Sequence, residues 1–320
     1  MAKAEATVEE LVKKIERGEL RLPEMQRRYV WRATRVRDLL DSLYRGYPSG
    51  AILLWETDES VPLQEFAVGQ QASPYQNSLL LLDGQQRLTS LSAVIRGEPV
   101  KVRGRKKPID VLFNLDHPEG LAVVTEVDEE GEEQEEEDEH VDEPADSSED
   151  ELQERFDRMT FVVSTKKLEA LPQWVRVTDV FKSESDAPFL KRAGVTGWDD
   201  PRGEKYAQRL ARLRGVRNYM YRMDVLPRTL DYNEVTEIFV RVNSLGAKLR
   251  SSDLALAQIT AKWRGSLKTF LEASEKLAAT GFELELGIHL KNLVTFATGQ
   301  SRFLVVGGLS EATLKRGLGQ

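Results

Sequence analysis

The stretch Leu79-Leu80-Leu81-Leu82-Asp83-Gly84-Gln85-Gln86-Arg87-Leu88-Thr89-Ser90-Leu91-Ser92-Ala93-Val94-Ile95 divides in two at Asp83-Gly84. Its first four residues are wholly apolar, a run of the length of a buried strand, and from Gln86 to Ile95 the pattern has helical periodicity. Asp83 to Gln85 therefore sits at a strand-to-helix turn. Such a junction offers free backbone N–H groups and the positive end of a helix dipole, which together attract anions. Gly84 lets the backbone approach a ligand, Arg87 can fork onto phosphate oxygens, and Asp83 can hold a hydrated divalent ion or orient a water. Gln85 and Gln86 add polar contacts without charge. The same residues also suit a purely structural turn in which Asp83 caps the helix and Arg87 pairs with a Glu.

Upstream, Thr7-Val8-Glu9-Glu10 reads as a capping box opening a short helix whose apolar stripe is Val8, Leu11, Val12 and Ile15, ended by Gly18. A second helix is expected from about Thr34 to Arg45, stopped by Gly46, and Ala51 to Trp55 reads as a buried strand. Between them lies Leu22-Pro23-Glu24-Met25-Gln26-Arg27-Arg28-Tyr29-Val30-Trp31. Gln26, Arg27, Arg28, Tyr29 and Trp31 combine guanidinium forks with flat rings that can stack on bases, or else Tyr29 and Trp31 anchor a core.

Downstream, Val111 to Leu115 and Phe161 to Val163 look like a strand pair interrupted by an acidic insert at about 126–156. Glu126 to Glu154 holds 18 Asp or Glu and no Lys or Arg. It is too charged to form a core and is expected to be a disordered loop. The formal net charge of -8 hides its effect: without the insert, 45 basic residues face 35 acidic ones, a balance of +10. A basic folded part favours contact with a polyanion such as DNA, although a solvated basic surface has the same sign.

From about residue 204 helices follow one another, at 206–221, 232–243, 252–264, 267–279 and 288–298, with a short extended piece at 224–229. Among them Phe239 to Leu254 reads as helix, glycine turn, helix, and Arg241, Asn243, Lys248 and Arg250 crowd cationic and polar groups around Gly246. The fold class expected is α+β, an α/β domain over 1–200 followed by a mainly α-helical domain over 201–320.

The sequence has no Cys and three scattered His, His117, His140 and His289. It therefore excludes a disulfide framework, thiolate zinc and a Cys nucleophile, and gives no support to a His-dependent nuclease centre. No apolar run reaches the roughly 18–20 residues of a membrane helix and no secretion signal is evident, so a cytoplasmic location is expected. One-piece nucleotide motifs, Gly-x-x-x-x-Gly-Lys-Ser/Thr and Gly-x-Gly-x-x-Gly, are missing, so any nucleotide chemistry needs another fold.

Taken in order, Leu22-Pro23 with Gln26-Arg27-x-Tyr29-x-Trp31, then Leu82 to Thr89, then Phe239-x-Arg241-x-Asn243-x-x-Gly246-x-x-Leu249, the chain resembles the N-terminal domain family of GmrSD-type restriction enzymes, often called the DGQQR family and related to ParB and sulfiredoxin. The resemblance implies a ParB-like α/β core that binds and hydrolyses a nucleoside triphosphate with Mg2+ at the Asp83 turn, gating the cutting of modified phage DNA by a His-Asn-His nuclease located elsewhere. Catalytic roles are then expected for Asp83, Gln85, Gln86 and Arg87, with Asp83 positioning the attacking water through magnesium or directly. Nucleotide contacts would come from Gly84, Thr89, Arg241, Asn243, Gly246 and Lys248, and DNA sensing from Gln26, Arg27, Arg28, Tyr29 and Trp31. A ParB-like module that binds DNA without needing hydrolysis and recruits a nuclease is the alternative, and a homo-oligomer is left open.

Overall fold

A computed structural model describes residues 1–71, 78–98, 109–120, 156–197, 199–245, 251–281 and 284–318. The acidic segment from Glu126 to Glu154 and the turn at Gly246 to Arg250 lie outside the described residues.

The fold is α+β. Its main sheet has six strands: β1 (Ala2–Thr7), β2 (Leu20–Pro23), β3 (Ile52–Thr57), β4 (Leu63–Gln64), β5 (Ser78–Asp83) and β9 (Met220–Leu226). They lie in the order β1-β9-β3-β5-β2-β4, with β9 parallel to β3, β5 parallel to β2 and the other neighbours antiparallel. The apolar run of β5 follows from burial on both faces. Leu79 and Leu81 pack on one core, with α1 (Val8–Glu16), α2 (Ala33–Arg45) and α3 (Gln85–Arg96), while Leu80 and Leu82 pack on another, with Met25, Trp55, Tyr232 and Phe239. A strand with one wet face would alternate instead.

Local signals act as read. Thr7 and Glu10 form the reciprocal capping box of α1, and α2 ends at Gly46 in the left-handed conformation. Val111 to Asn114 (β6) and Phe161 to Val163 (β7) pair antiparallel, Val111 opposite Val163, in a second sheet whose other edge is β8 (Trp174–Arg176). Short helices α4 (Lys166–Ala170), α5 (Val177–Lys182) and α6 (Ala187–Arg192) follow this sheet.

The region beyond residue 200 differs from its expected reading. Helix α7 (Pro201–Arg214) and a short 3-10 turn end at Asn218, and Met220 to Leu226 is a strand in the middle of the main sheet, where Met220 and Tyr221 had been expected as helix. Alternation explains it: Tyr221 and Met223 bury on one face while Met220 and Arg222 are exposed, a period of two that the helical count overlooked. Tyr206, Leu210, Leu213, Tyr221 and Met223 thus belong to the first core. Helix α8 (Tyr232–Leu245) covers the opposite face of the sheet. A separate core joins α9 (Ser251–Lys262), α10 (Ser266–Ala278), α11 (Leu286–Thr298) and the terminal α12 (Glu311–Leu318). Among the described residues no helix is long and apolar enough to cross a membrane.

Candidate functional site

The Asp83 turn is built where β5 leaves the sheet. Asp83 stands opposite Leu53 of β3, beside an irregularity in the register at Leu53/Leu54. Gly84 then takes φ +98 as the residue before α3. A side chain there would be strained by that φ, and its Cβ would sit 2.4 Å from the Ile52 Cδ1. Helix α3 starts with no side-chain cap and no acidic residue in its first turn. Asp83 therefore is not the cap, and the first amides of a twelve-residue helix keep their attraction for an anion.

Arg87 is already engaged. Its Nη1 donates to the Ser49 carbonyl, its Nη2 to the Ala51 carbonyl at 2.8 Å, and the same Nη2 pairs with Asp83 Oδ2 at 3.0 Å. Its partner is thus Asp83 rather than a Glu. Gly50, at φ +88, makes room: a Cβ there would stand 2.5 Å from the Arg87 Nη1. The guanidinium clamps the Ser49–Ala51 loop against the turn and leaves the Asp83 side chain 43% exposed.

The two glutamines behave oppositely. Gln86 is buried and engaged at both ends of its amide: its Oε1 accepts from Val30 N at 2.9 Å and Trp31 N at 3.3 Å, and its Nε2 donates to the Arg28 carbonyl at 3.1 Å. It reads the backbone of the Leu22–Trp31 segment as a strand neighbour would. Gln85, 6% exposed, has a buried Oε1 that meets no donor. Four residues on, Thr89 is completely buried and its hydroxyl is also without a partner. No surface of Thr89 is open to a nucleotide in this arrangement.

The Leu22–Trp31 segment folds against the turn largely through its polar groups. Gln26 is buried and its Nε2 donates to the carbonyls of Leu81, at 3.0 Å, and Leu82, near the end of β5. Tyr29 is buried, with its hydroxyl 2.7 Å from the Ser90 Oγ. Both had been expected to face DNA; both instead tie their segment to β5 and α3. Trp31 is half-buried against the first core and Arg27 is half-buried, 3.8 Å from Asp253 at the start of α9, which leaves Arg28 as the exposed side chain of the five. Of the third motif, Arg241 is exposed and pairs with Glu237 of its own helix at 2.7 Å, and Asn243 Nδ2 donates to the Phe239 carbonyl at 2.8 Å. Gly246 and Lys248 lie outside the described residues. The three motifs do meet, since Met25, Leu80, Leu82 and Phe239 share one apolar cluster.

Sequence reasoning assigned no role to Glu24, although it stands inside the first motif. It is 2% exposed, and its carboxylate accepts from the Gly265 amide at 2.8 and 3.1 Å, capping α10 in place of the side chain that Gly265 lacks. Burial pushes its pKa above the ordinary carboxylate value, against the pull of the amides of Gly265 and Leu267 and the charge of Arg264. Among the described residues no cluster of three or more His, Asp or Glu is placed to hold a metal ion.

A mixed sheet whose central strand ends in an uncapped strand-to-helix turn, braced by two further segments from far along the chain, defines the class. Residues 8–260 match the family model described as the GmrSD restriction endonuclease, N-terminal domain, and the chain belongs to that family, a component of restriction systems. The chain is also similar to the uncharacterized protein MJ0686 of Methanocaldococcus jannaschii, 25% identical over 307 residues, which are 88% of this chain and 44% of that protein. It thus spans less than half the length of that relative.

Proposed function

We propose that this chain is the nucleotide-binding, nucleotide-hydrolysing and DNA-sensing module of a prokaryotic restriction system acting on modified DNA, with the DNA-cutting centre elsewhere. The observation that carries this reading is the unpartnered, buried Oε1 of Gln85, the first residue of α3, at a helix start that has no side-chain cap and follows the 43% exposed Asp83 by two residues. An acceptor buried without a donor costs about 1–3 kcal/mol, a cost that a bound water or ligand donor removes.

In this reading the α3 amides hold phosphate oxygens, and Asp83 and Gln85 orient the water that attacks the terminal phosphorus as its bond to the bridging oxygen breaks. Arg87 and Gln86 are positioning residues: one fixes Asp83, the other fixes the Arg28–Trp31 backbone. Magnesium chelated by a triphosphate needs few protein ligands, and Asp83 fits as that single carboxylate; the ion would offset phosphate charge. Arg28 and Trp31 are the members of the first motif offered to DNA.

One observation favours a second reading. Arg87, the turn's own cation, is already spent on two carbonyls and a carboxylate, which suits a ParB-like module that binds nucleotide and DNA while hydrolysing slowly and dispensably. Phosphate release by wild type and Asp83→Ala, each with no DNA, plain DNA and modified DNA, decides between them. Release stimulated by modified DNA and absent from Asp83→Ala supports the hydrolase. No release with nucleotide-dependent DNA binding leaves the binding module, and neither release nor nucleotide binding sinks both.

A further inference from the structure

Away from the turn, the chain builds a cationic pocket that the proposed function does not use. It lies between the end of α2, the loop after β6 and helix α7, with a volume of about 320 Å³. None of its lining residues belongs to the Asp83 turn or to the Leu22–Trp31 segment. Four cations line it: Arg45, Lys205, Arg209 and Arg212.

Two of them are neutralised by the chain itself. Arg45 Nε pairs with Asp41 at 2.8 Å, and its Nη groups donate to the Gly120 carbonyl and the Thr160 hydroxyl, both at 2.8 Å. Lys205 lies 3.2 Å from Asp116, which also accepts from the Tyr206 hydroxyl at 2.7 Å. Among the described residues the other two are not. Arg209 is 7% exposed, and its one hydrogen bond among the described residues runs from Nη1 to the Leu115 carbonyl. Arg212 donates from Nε to the Tyr44 carbonyl at 3.0 Å and stacks its guanidinium 4.5 Å from the Tyr44 ring centroid. No carboxylate of the described residues comes within ion-pair distance of either; the wall's own acid, Glu119, pairs with neither. A buried guanidinium without a counter-charge is costly, and proteins bury such charges paired.

The remaining wall agrees with an anion. His117, buried in the same wall, has its Nε2 3.0 Å from the Tyr44 hydroxyl and its Nδ1 2.9 Å from the Pro118 carbonyl. Burial, and then the nearby arginines, hold it neutral. Tyr44 offers no free face for a nucleobase, because Arg212 covers the ring and Phe113, Phe161 and His117 meet it edge-on or nearly so. Guanidinium forks match phosphate oxygens two at a time.

We propose that the pocket between α2, the loop after β6 and α7 is a second anion site, distinct from the Asp83 turn, that takes a phosphoryl group on Arg209 and Arg212. The phosphoryl group can come free in solution or on the end of a nucleic acid, and the test separates these sources. Intact chain is titrated calorimetrically with inorganic phosphate and pyrophosphate, and with one oligonucleotide bearing either a 5′-phosphate or a 5′-hydroxyl.

Saturable binding of phosphate or pyrophosphate is expected, weakened at least fivefold in Arg212→Gln and at least tenfold in Arg209→Gln. A preference for the 5′-phosphorylated strand assigns the nucleic-acid source; equal binding of the two strands alongside phosphate binding assigns the free one. Arg212 is exposed, so its variant carries the test should Arg209→Gln not fold. The His117 ring proton resonances are expected to move with phosphate while those of His289 stay. No binding to the intact chain, which is the result if the chain's own carboxylates already fill the pocket, overturns the proposal. So does binding lost in Asp83→Asn but kept in both arginine variants. Phosphate release at the turn is a separate measurement, so either proposal can fail without the other.

Discussion

Gln85 and Gln86 are chemically identical neighbours that the fold treats as opposites. Gln86 satisfies two backbone amides and one carbonyl of the Arg28–Trp31 segment, whereas the buried Oε1 of Gln85 satisfies nothing. Replacing Gln86 by Leu strands those backbone groups in a buried site, which costs about 2–4 kcal/mol for a donor and acceptor set of this kind. Replacing Gln85 by Leu removes an unsatisfied acceptor and leaves stability within about 1 kcal/mol of wild type. If the chain hydrolyses nucleotide as proposed, function should divide the other way, with Gln85→Leu well folded and at least tenfold slower in phosphate release. Urea unfolding midpoints beside release rates check the pair, and a Gln85→Leu protein that unfolds as early as Gln86→Leu would show that the free acceptor had a structural partner after all. The sequence displayed both residues as members of one motif. It did not separate them, because which amide a side chain reaches depends on Val30 and Trp31 arriving from 55 or more residues away.

Among elements, α10 depends on a cap from another part of the chain. Gly265 precedes the helix at φ +81 and offers no side chain, so the Glu24 carboxylate accepts its amide, joining the first motif to the helical region. Such caps contribute about 0.5–2 kcal/mol, so Glu24→Ala should lose that much while Glu24→Gln, which keeps an oxygen acceptor, should lose less. Because burial raises the folded pKa of Glu24, its protonated form is favoured by folding. That contribution is fully present below the ordinary carboxylate value near 4.5 and is lost as the pH rises through the raised value. The stability of wild type relative to Glu24→Gln is therefore expected to fall across this window and then level off, read from denaturation midpoints at several pH values. A flat difference would mean that Glu24 titrates as if unfolded. Elements with local signals were legible: the Thr7 capping box, the Gly46 stop and the apolar run of β5 need only their own residues. Strand β9 was misread because Tyr221 and Met223 follow directly on a helix, and only its place between β1 and β3 makes their alternation decisive.

For the whole molecule, the sign of the charge depends on one segment. The chain carries -8 in total, but 18 of its 53 acidic residues lie between Glu126 and Glu154, and the remainder balances at +10. In the sequence the segment lies between β6 and β7, which pair with each other, Val111 opposite Val163. Phosphate neutralisation supplies most non-specific DNA affinity, and charges repel DNA from a distance of about 10 Å at 0.1 M salt. A chain lacking residues 126–154, with the ends rejoined by a short flexible linker, should fold with the same β6–β7 register, since closing a shorter loop costs no more entropy than a longer one. Its affinity for plain duplex DNA should rise at least tenfold at about 50 mM salt, and the gap should narrow as salt increases. Fluorescence anisotropy over a salt series measures both. Equal affinity for the two chains at low salt would mean that the acidic segment does not offset the positive balance of the rest of the chain toward DNA.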